Sequence, residues 1–311
     1  MGRPSPDRPR PPACRRPRSK GTLSRPRSRN AAFRSLRDRL RSEIQSGAGL
    51  VLILDFDGTL APIARHPAGA RLDPEIKKTL RRLAANPRVG LAVLSGRSLS
   101  DIKRRVQIPG VVYGGCHGLD IKGLGLEFRP PLTPSVQRHL ERAAEMLEAV
   151  VSDFRGADLE RKGLAVSLHY RRVVSSGLET LFKLTKEVAA QEGLAILLGV
   201  KVWDLVPPGH RGKSNALPLI RDHLTKRLNG RPPFAIYAGD DATDAETLRS
   251  VGDRGITIQV GGKRGTADYH LRGVPEVHAI LRWIEGHRGL KPSHSTTSGG
   301  RGAKDNPSDG G

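Results

Sequence analysis

The chain has 311 residues, of which 37% are hydrophobic, and a formal charge of +22, so it can build one large or two modest globular domains. No run of residues is long and apolar enough to span a bilayer. The two cysteines, Cys14 and Cys116, lack the spacing of a disulfide framework or a zinc site. We therefore expect a soluble, cytoplasmic protein.

Much of the positive charge lies at the N-terminus. Residues 1–30 carry ten Lys or Arg against one Asp, with almost no large apolar side chain, and are expected to form a disordered tail. Its charge could attract nucleic acid or an anionic surface, but a solubilising extension is the simpler interpretation. The Gly- and Ser-rich residues 289–311 are expected to form a second disordered tail.

The elements after the first tail follow an α/β order. Apolar residues at helical spacing predict a short amphipathic helix over 31–45. An apolar run then leads into DFDGT (Asp55–Thr59), as expected for a strand buried on both faces of a parallel sheet. Asp73 and Pro74 have the N-cap and first-turn positions of a helix. A second apolar run, Val89–Leu94, completes a predicted right-handed βαβ unit.

The middle of the chain has a different pattern. Two helical stretches, each followed by two short strand-like segments, predict an inserted α+β unit at about 119–206. Within it, GLAVSLHYR (163–171) alternates apolar and polar residues. The alternation predicts that Ser167, His169 and Arg171 share a polar face of a strand, and this face is free to meet a ligand.

The α/β pattern returns near the end of the chain, where Asp240 and Asp241 follow the apolar run FAIYAG. We therefore predict one parallel, Rossmann-like sheet core written in two segments, 31–118 and 207–288. The α+β unit between them would form a cap domain over that core.

Groups suited to phosphate chemistry recur at the ends of the predicted strands. In open α/β sheets these ends meet at the edge where ligands bind. The groups are Asp55, Asp57, Ser95, Lys213, Asp240, Asp241 and Asp244. Clustered acids are unfavourable without a cation, and oxygen ligands favour Mg²⁺. A carboxylate beside the metal could then be a nucleophile toward phosphate, with Lys213 and Mg²⁺ neutralising the developing charge.

DFDGT, the serine that ends a second strand, the isolated lysine and GDDATD together resemble the haloacid dehalogenase superfamily of phosphatases over roughly residues 50–260. The resemblance implies that Asp55 is the nucleophile and forms an aspartyl-phosphate. It implies that Asp57 is the general acid and then the base, while its backbone carbonyl helps to hold Mg²⁺. Ser95 would bind a phosphoryl oxygen.

The last motif of the resemblance concerns the metal. Asp240 would be a direct ligand of Mg²⁺, and Asp241 and Asp244 would hold metal-bound waters or orient Lys213. With the acids of the first motif, the implied metal set is Asp55, Asp57, Asp240, Asp241 and Asp244.

Several segments, LSGR, GCHGLDI, ERKGLAVSLHYR, KVWDLVPPGHRGK and GDDATDAE, are similar to trehalose-6-phosphate phosphatases, which convert trehalose 6-phosphate to trehalose. The resemblance implies substrate contacts from Gly96, Arg97, His117, Glu160, Lys162, Arg171 and Asp204. The family usually has Glu where this chain has Asp204, so a phosphatase of sucrose 6-phosphate or of a glucosyl-glycerol phosphate is an alternative. A trehalose-6-phosphate synthase is a possible partner as a separate chain.

Ordinary structural interpretations exist for most of these residues. Aspartates are common in turns, and Ser95 could be the N-cap of the helix that follows it. Glu160 and Lys162 could form a surface pair on an edge strand, Lys213 could be a plain helix-start lysine, and His117 could fill a loop. Trp203 fits either the cap core or a sugar-stacking position.

Two other functions are compatible with the sequence. The basic tail favours a nucleic-acid or polyanion binder whose sheet is inactive, but aromatic residues make up only 4% of the chain, which leaves little stacking surface. We therefore expect no binding of nucleic acid except through the tail. Phosphoryl transfer to an acceptor other than water is the second alternative.

Overall fold

A computed structural model describes residues 29–290 apart from 65, 229–230, 241–249 and 263–264. The strands in this part of the chain are β1 (Ala48–Leu54), β2 (Val89–Leu94), β3 (Val111–Gly115), β4 (Asp120–Gly123), β5 (Leu126–Phe128), β6 (Asp158–Arg161), β7 (Val166–His169), β8 (Ala195–Gly199), β9 (Val202–Val206), β10 (Arg231–Gly239), β11 (Gly255–Val260) and β12 (Tyr269–Leu271). The α-helices are α1 (Arg29–Gln45), α2 (Pro74–Ala84), α3 (Leu99–Val106), α4 (Pro134–Ser152), α5 (Leu178–Gln191), α6 (Lys213–Arg227) and α7 (Val274–Glu285).

The larger sheet confirms the predicted α/β core. Its eight strands have the order β12-β11-β10-β1-β2-β3-β4-β5. The first six strands in this order, from β12 to β3, are parallel to one another. Every residue of β1 is buried, because helices cover both faces of the sheet. The chain moves outward from β1 in one direction through β2 and β3, and in the other through β10 to β12. The carboxyl end of β1 therefore lies at a switch point, where α/β proteins bind ligands.

The inserted unit also has the predicted order of elements. Its four antiparallel strands, in the order β6-β7-β9-β8, pack one face against α4 and α5 around Leu140, Leu147, Leu168 and Leu205. The hairpin of β4 and β5 pairs with β3 and belongs to the larger sheet. The cap was predicted to begin at residue 119, so its first part belongs to the core sheet instead.

The ends of the described chain differ slightly from expectation. Helix α1 begins at Arg29, two residues before the predicted start. Leu290, predicted to lie in the second tail, is buried against the core, and its carbonyl accepts a hydrogen bond from Asn86 Nδ2 at 2.8 Å. The remaining tail residues, 1–28 and 291–311, lie outside the described part.

Helix starts follow the predicted chemistry with one exception. Asp73 caps α2, and its side chain accepts hydrogen bonds from the N–H groups of Glu75 and Ile76. The prediction that Ser95 is the N-cap of the next helix is wrong, because α3 begins after Ser98, whose hydroxyl takes that role. No helix within the described ranges is long and apolar enough to cross a membrane.

Candidate active site

One cavity of about 590 Å³ lies between the carboxyl edge of the larger sheet and the polar face of the cap sheet. The predicted site residues that line it are Asp55, Asp57, Ser95, Gly96, Arg97, His117, Glu160, Lys162, Arg171, Asp204, Lys213 and Asp240. The other two, Asp241 and Asp244, lie outside the described residues. The fold therefore brings together residues that are far apart along the chain, from both the core and the cap.

Asp55 is a buried residue in the wall of the cavity. It directly follows β1, is 3% exposed, and its N–H donates to the carbonyl of Ala238 at 2.9 Å. Lys213 Nζ lies 2.8 Å from Asp55 Oδ1. A cation in the first turn of a helix is electrostatically unfavourable, so the ion pair with Asp55 is the physical reason for a lysine at the start of α6.

Asp57 is held by a planar fork. Arg97 donates from Nε to Asp57 Oδ2 and from Nη2 to Oδ1, each at 2.7 Å, which is the bidentate geometry of a close arginine–carboxylate pair. Burial lowers the pKa of Arg97, but its hydrogen bonds and charge interactions with Asp57 and Asp101 outweigh burial, and the pKa is raised. Ser95 lies beside the fork and is 1% exposed, and its Oγ accepts from the Arg97 N–H at 3.2 Å.

The acids at this edge offer oxygen ligands of the kind that Mg²⁺ prefers. Gly58, with φ of +78°, leaves room for Asp240 against the first motif, since a Cβ there would lie only 2.9 Å from Asp240 Oδ2. This close approach fits a shared cation between the two acidic segments. Within the described part of the chain, no group of three or more His, Cys, Asp or Glu side chains is arranged to hold a metal, and two of the five predicted ligands lie outside that part.

The cap contributes charged groups to the opposite wall. His169 Nε2 lies 3.1 Å from Glu160 Oε2. This hydrogen bond is the largest influence on the pKa of Glu160, which is lowered despite burial, with help from the charge of Lys162. The Lys162 side chain is 4% exposed and Nζ donates to the Gly96 carbonyl at 2.8 Å, so the surface-pair interpretation is wrong for Lys162. Arg171 Nη1 donates to the carbonyl of Ala64 in the core.

His117 joins the two walls. It lies in the turn after β3 with left-handed backbone angles, φ 56° and ψ 27°, and its N–H donates to the Ser95 carbonyl at 3.0 Å. Its Nε2 lies 2.9 Å from Asp204 Oδ2. Asp204 lies in the cavity wall but is only 1% exposed, so it is much less accessible than a sugar ligand needs to be.

Part of the cavity lining was not anticipated. It consists of Arg211, Ser214 and an apolar wall that includes Ile63, Leu197, Leu198 and Val200. His169, on the polar face that the alternation in β7 predicted, also lines the cavity, and Arg211 stands two residues before Lys213. The apolar wall had no signal, because a leucine in a strand ordinarily indicates core, yet Leu198 is 69% exposed. Trp203 lies in the cap core. Its ring stacks on the ring of Tyr170, with 4.1 Å between the ring centroids.

A family model described as trehalose-phosphatase matches residues 53–272. The chain belongs to this family. Among curated trehalose-phosphate phosphatases, those of Mycobacterium bovis and Mycobacterium tuberculosis are 33% identical over 221 residues, covering 70% of this chain and 56% of theirs. The chain thus spans about half the length of these relatives.

Solved structures agree on the fold of this trehalose-phosphatase family member. A trehalose-6-phosphate phosphatase related protein is 27% identical, with a TM-score of 0.61, and the match covers 76% of this chain and 96% of that one. The C-terminal domain of a Candida albicans trehalose-6-phosphate phosphatase is 21% identical, with a TM-score of 0.68 and coverage of 80% and 96%. The second likeness supports the fold alone.

Proposed function

We propose that the chain is a phosphoric monoester hydrolase that converts trehalose 6-phosphate to trehalose and phosphate. The observation that carries this proposal is the buried carboxylate of Asp55 at the carboxyl end of β1, paired with Lys213 at 2.8 Å and facing the cavity. A carboxylate in this position can attack phosphorus, and the membership in the trehalose-phosphatase family supports the assignment.

In the first step, an oxygen of Asp55 bonds to phosphorus and the bond to the sugar oxygen breaks. The sugar oxygen leaves with a proton from Asp57, and the phosphoryl group remains on Asp55 as an acyl phosphate. Asp57 must carry a proton for this step, and both of its carboxylate oxygens accept hydrogen bonds from Arg97. The oxygen that carries the proton must therefore turn away from Arg97 to reach the leaving sugar oxygen.

In the second step, water attacks the phosphoryl group and Asp57 accepts the proton. The Arg97 fork suits this half of the reaction, because its two hydrogen bonds hold the Asp57 carboxylate in the cavity wall. Lys213 compensates the negative charge of Asp55 when the carboxylate is released. Ser95 would donate a hydrogen bond from its hydroxyl group to a phosphoryl oxygen.

A bound Mg²⁺ would neutralise charge on the phosphoryl group and orient it. The residues that would hold it are Asp55, the backbone carbonyl of Asp57 and Asp240. Asp241 and Asp244 stay predicted ligands.

The sugar would lie against the cap. Glu160, Lys162, Arg171 and His117 are charged or polar groups in the cavity wall, and a sugar site needs such groups, because each hydroxyl left unpaired in a closed site is penalised. The burial of Asp204 leaves the choice of sugar open, so sucrose 6-phosphate and a glucosyl-glycerol phosphate are the second candidates. A separate synthase chain as partner and a cytoplasmic location stay predictions.

The test is phosphate release from trehalose 6-phosphate with Mg²⁺ and with EDTA, beside sucrose 6-phosphate and glucose 6-phosphate. We expect Mg²⁺-dependent release with preference for trehalose 6-phosphate. Asp55→Asn keeps the size of the side chain and removes the nucleophile, so turnover should fall by about 10⁴-fold or more. Lys213 loses its buried counter-ion in this variant, so the melting temperature should fall as well, and circular dichroism at the assay temperature checks that the chain is folded. Asp153→Asn, an exposed cap residue, is the matched control. Turnover retained by Asp55→Asn contradicts the mechanism.

A further inference from the structure

The carboxylate of Asp204 is enclosed by protein groups. Asp204 lies on β9, between β7 and β8 in the cap sheet, and is 1% exposed. Its Oδ1 accepts a hydrogen bond from Ser167 Oγ and lies 3.1 Å from Lys162 Nζ, while its Oδ2 lies 2.9 Å from His117 Nε2. With three donors and almost no exposed surface, this carboxylate has little capacity left for a sugar hydroxyl.

The three donors come from both sides of the cavity. Ser167 and Lys162 belong to the cap, and Lys162 Nζ also donates to the carbonyl of Gly96 in the core at 2.8 Å. His117 belongs to the core turn after β3. Asp204 is thus a buried carboxylate through which groups of the cap and of the core are held together.

The charges of Asp204 and Lys162 depend on each other. Burial raises the pKa of Asp204, but the charges of Lys162 and His117, with hydrogen bonds from His117 and Ser167, outweigh burial and hold the pKa well below its usual range. Burial lowers the pKa of Lys162, but the charges of Asp204 and Glu160 outweigh it, and the pKa is raised. Both groups therefore stay charged at neutral pH, and removal of either leaves the other as an uncompensated buried charge.

We infer that Asp204 is a positioning residue, which does not bind the sugar but holds Lys162 and His117 in the orientations in which they meet the substrate. The nature of that substrate rests on the proposed function, whereas the positioning itself is a property of the ligand-free chain. Recognition by a cap carboxylate then falls to Glu160, whose side chain is 44% exposed. This role replaces the expected contact between Asp204 and a sugar hydroxyl.

The first test uses the ligand-free full chain. Asp204→Asn should lower the melting temperature by on the order of 10 °C, because Lys162 loses its counter-ion. In a Lys162→Met background the same substitution should have a much smaller effect. Asp153→Asn controls for an Asp-to-Asn change on the cap. Equal effects of Asp204→Asn in both backgrounds would overturn the inference, and this outcome does not depend on whether the chain hydrolyses trehalose 6-phosphate.

The second test uses Ser167→Ala, which also serves if Asp204→Asn does not fold. Ser167 is fully buried and its hydroxyl donates to Asp204 Oδ1, so we expect its removal to act on the substrate through Asp204. We expect KM for trehalose 6-phosphate to rise about tenfold with little change in kcat, and no further rise when Ser167→Ala is added to Asp204→Asn. An unchanged KM for Ser167→Ala would contradict the inference whether or not Asp204→Asn folds, and a raised KM for Asp204→Asn beside it would show Asp204 to be a direct ligand.

Discussion

Replacing Gly96 by alanine tests how the turn after β2 and the cap are coupled. A Cβ at residue 96 would lie 2.6 Å from Nε2 and 2.7 Å from Cε1 of His117, where real Cβ contacts are longer than 3.0 Å. The ring of His117 is the part that can yield, because it is the far end of a side chain. The substitution therefore acts on His117 before it acts on any ligand.

The size of the effect follows from this geometry. The His117 ring must move about 0.8 Å away from the new Cβ to reach ordinary van der Waals contact with it. In the parent chain, Nε2 of this ring lies 2.9 Å from Asp204 Oδ2. A retreat of that size directed away from Asp204 takes Nε2 out of good hydrogen-bond range. A hydrogen bond to a charged group contributes about 1.5–3 kcal/mol, so kcat/KM should fall by roughly 10- to 150-fold if His117 positions the substrate.

The assay is phosphate release from trehalose 6-phosphate by Gly96→Ala, with the melting temperature as a measure of folding. Gly69→Ala is the matched control, because a Cβ there meets nothing closer than 3.4 Å. In a His117→Ala background the ring is absent, so Gly96→Ala should then have little effect. A full loss of activity in that background would refute the reasoning, since Gly96 would have to act directly on the substrate.

Two further predictions concern protonation. Burial raises the pKa of Asp101, but hydrogen bonds from Arg105 and Arg97 outweigh burial and lower it. A carboxyl group whose pKa is lowered by folding stabilises the fold at pH values above its unfolded pKa of about 4. Chemical denaturation should therefore show Asp101→Asn to be less stable than the parent at pH 7, and this difference should shrink below about pH 4 and vanish below the folded pKa. An equal difference at every pH would contradict it. Burial raises the pKa of Cys116 to about 12, so its thiol should react slowly at pH 8. In a Cys14→Ser variant, Ellman's reagent should label Cys116 only after denaturation. Rapid labelling of the native protein would contradict this prediction.

The core of the site was predictable because it depends on local sequence. The apolar run before Asp55 predicts a buried strand, and the acids that follow must then lie at the carboxyl edge of the sheet. Lys213 was placed at a helix start for the same kind of reason. Such positions need only the periodicity of the chain and the geometry of a parallel sheet, and Asp55 and Lys213 do meet at 2.8 Å.

The partner of each cap side chain was not predictable in this way. Lys162 and Asp204 are separated by 42 residues, and Asp204 and His117 by 87, so nothing local distinguishes a ligand from a buried counter-ion. The sequence suggested a sugar contact for Asp204, while packing encloses its carboxylate. Likewise, Leu198 resembles a core residue in the sequence. It is exposed in the cavity because it lies on β8, an edge strand of the cap sheet.

The sequence by itself determined the α/β core, the inserted cap and the acids at the strand ends, because these follow from local hydrophobic patterns and from the rule that parallel strands present their carboxyl ends together. The tertiary structure alone decided which charged groups pair across the cavity. Pairing of Asp57 with Arg97 and of Asp204 with Lys162 and His117 depends on distances between segments remote in the chain. For Asp204 and Lys162, which are both buried, desolvation makes each charge depend on the other.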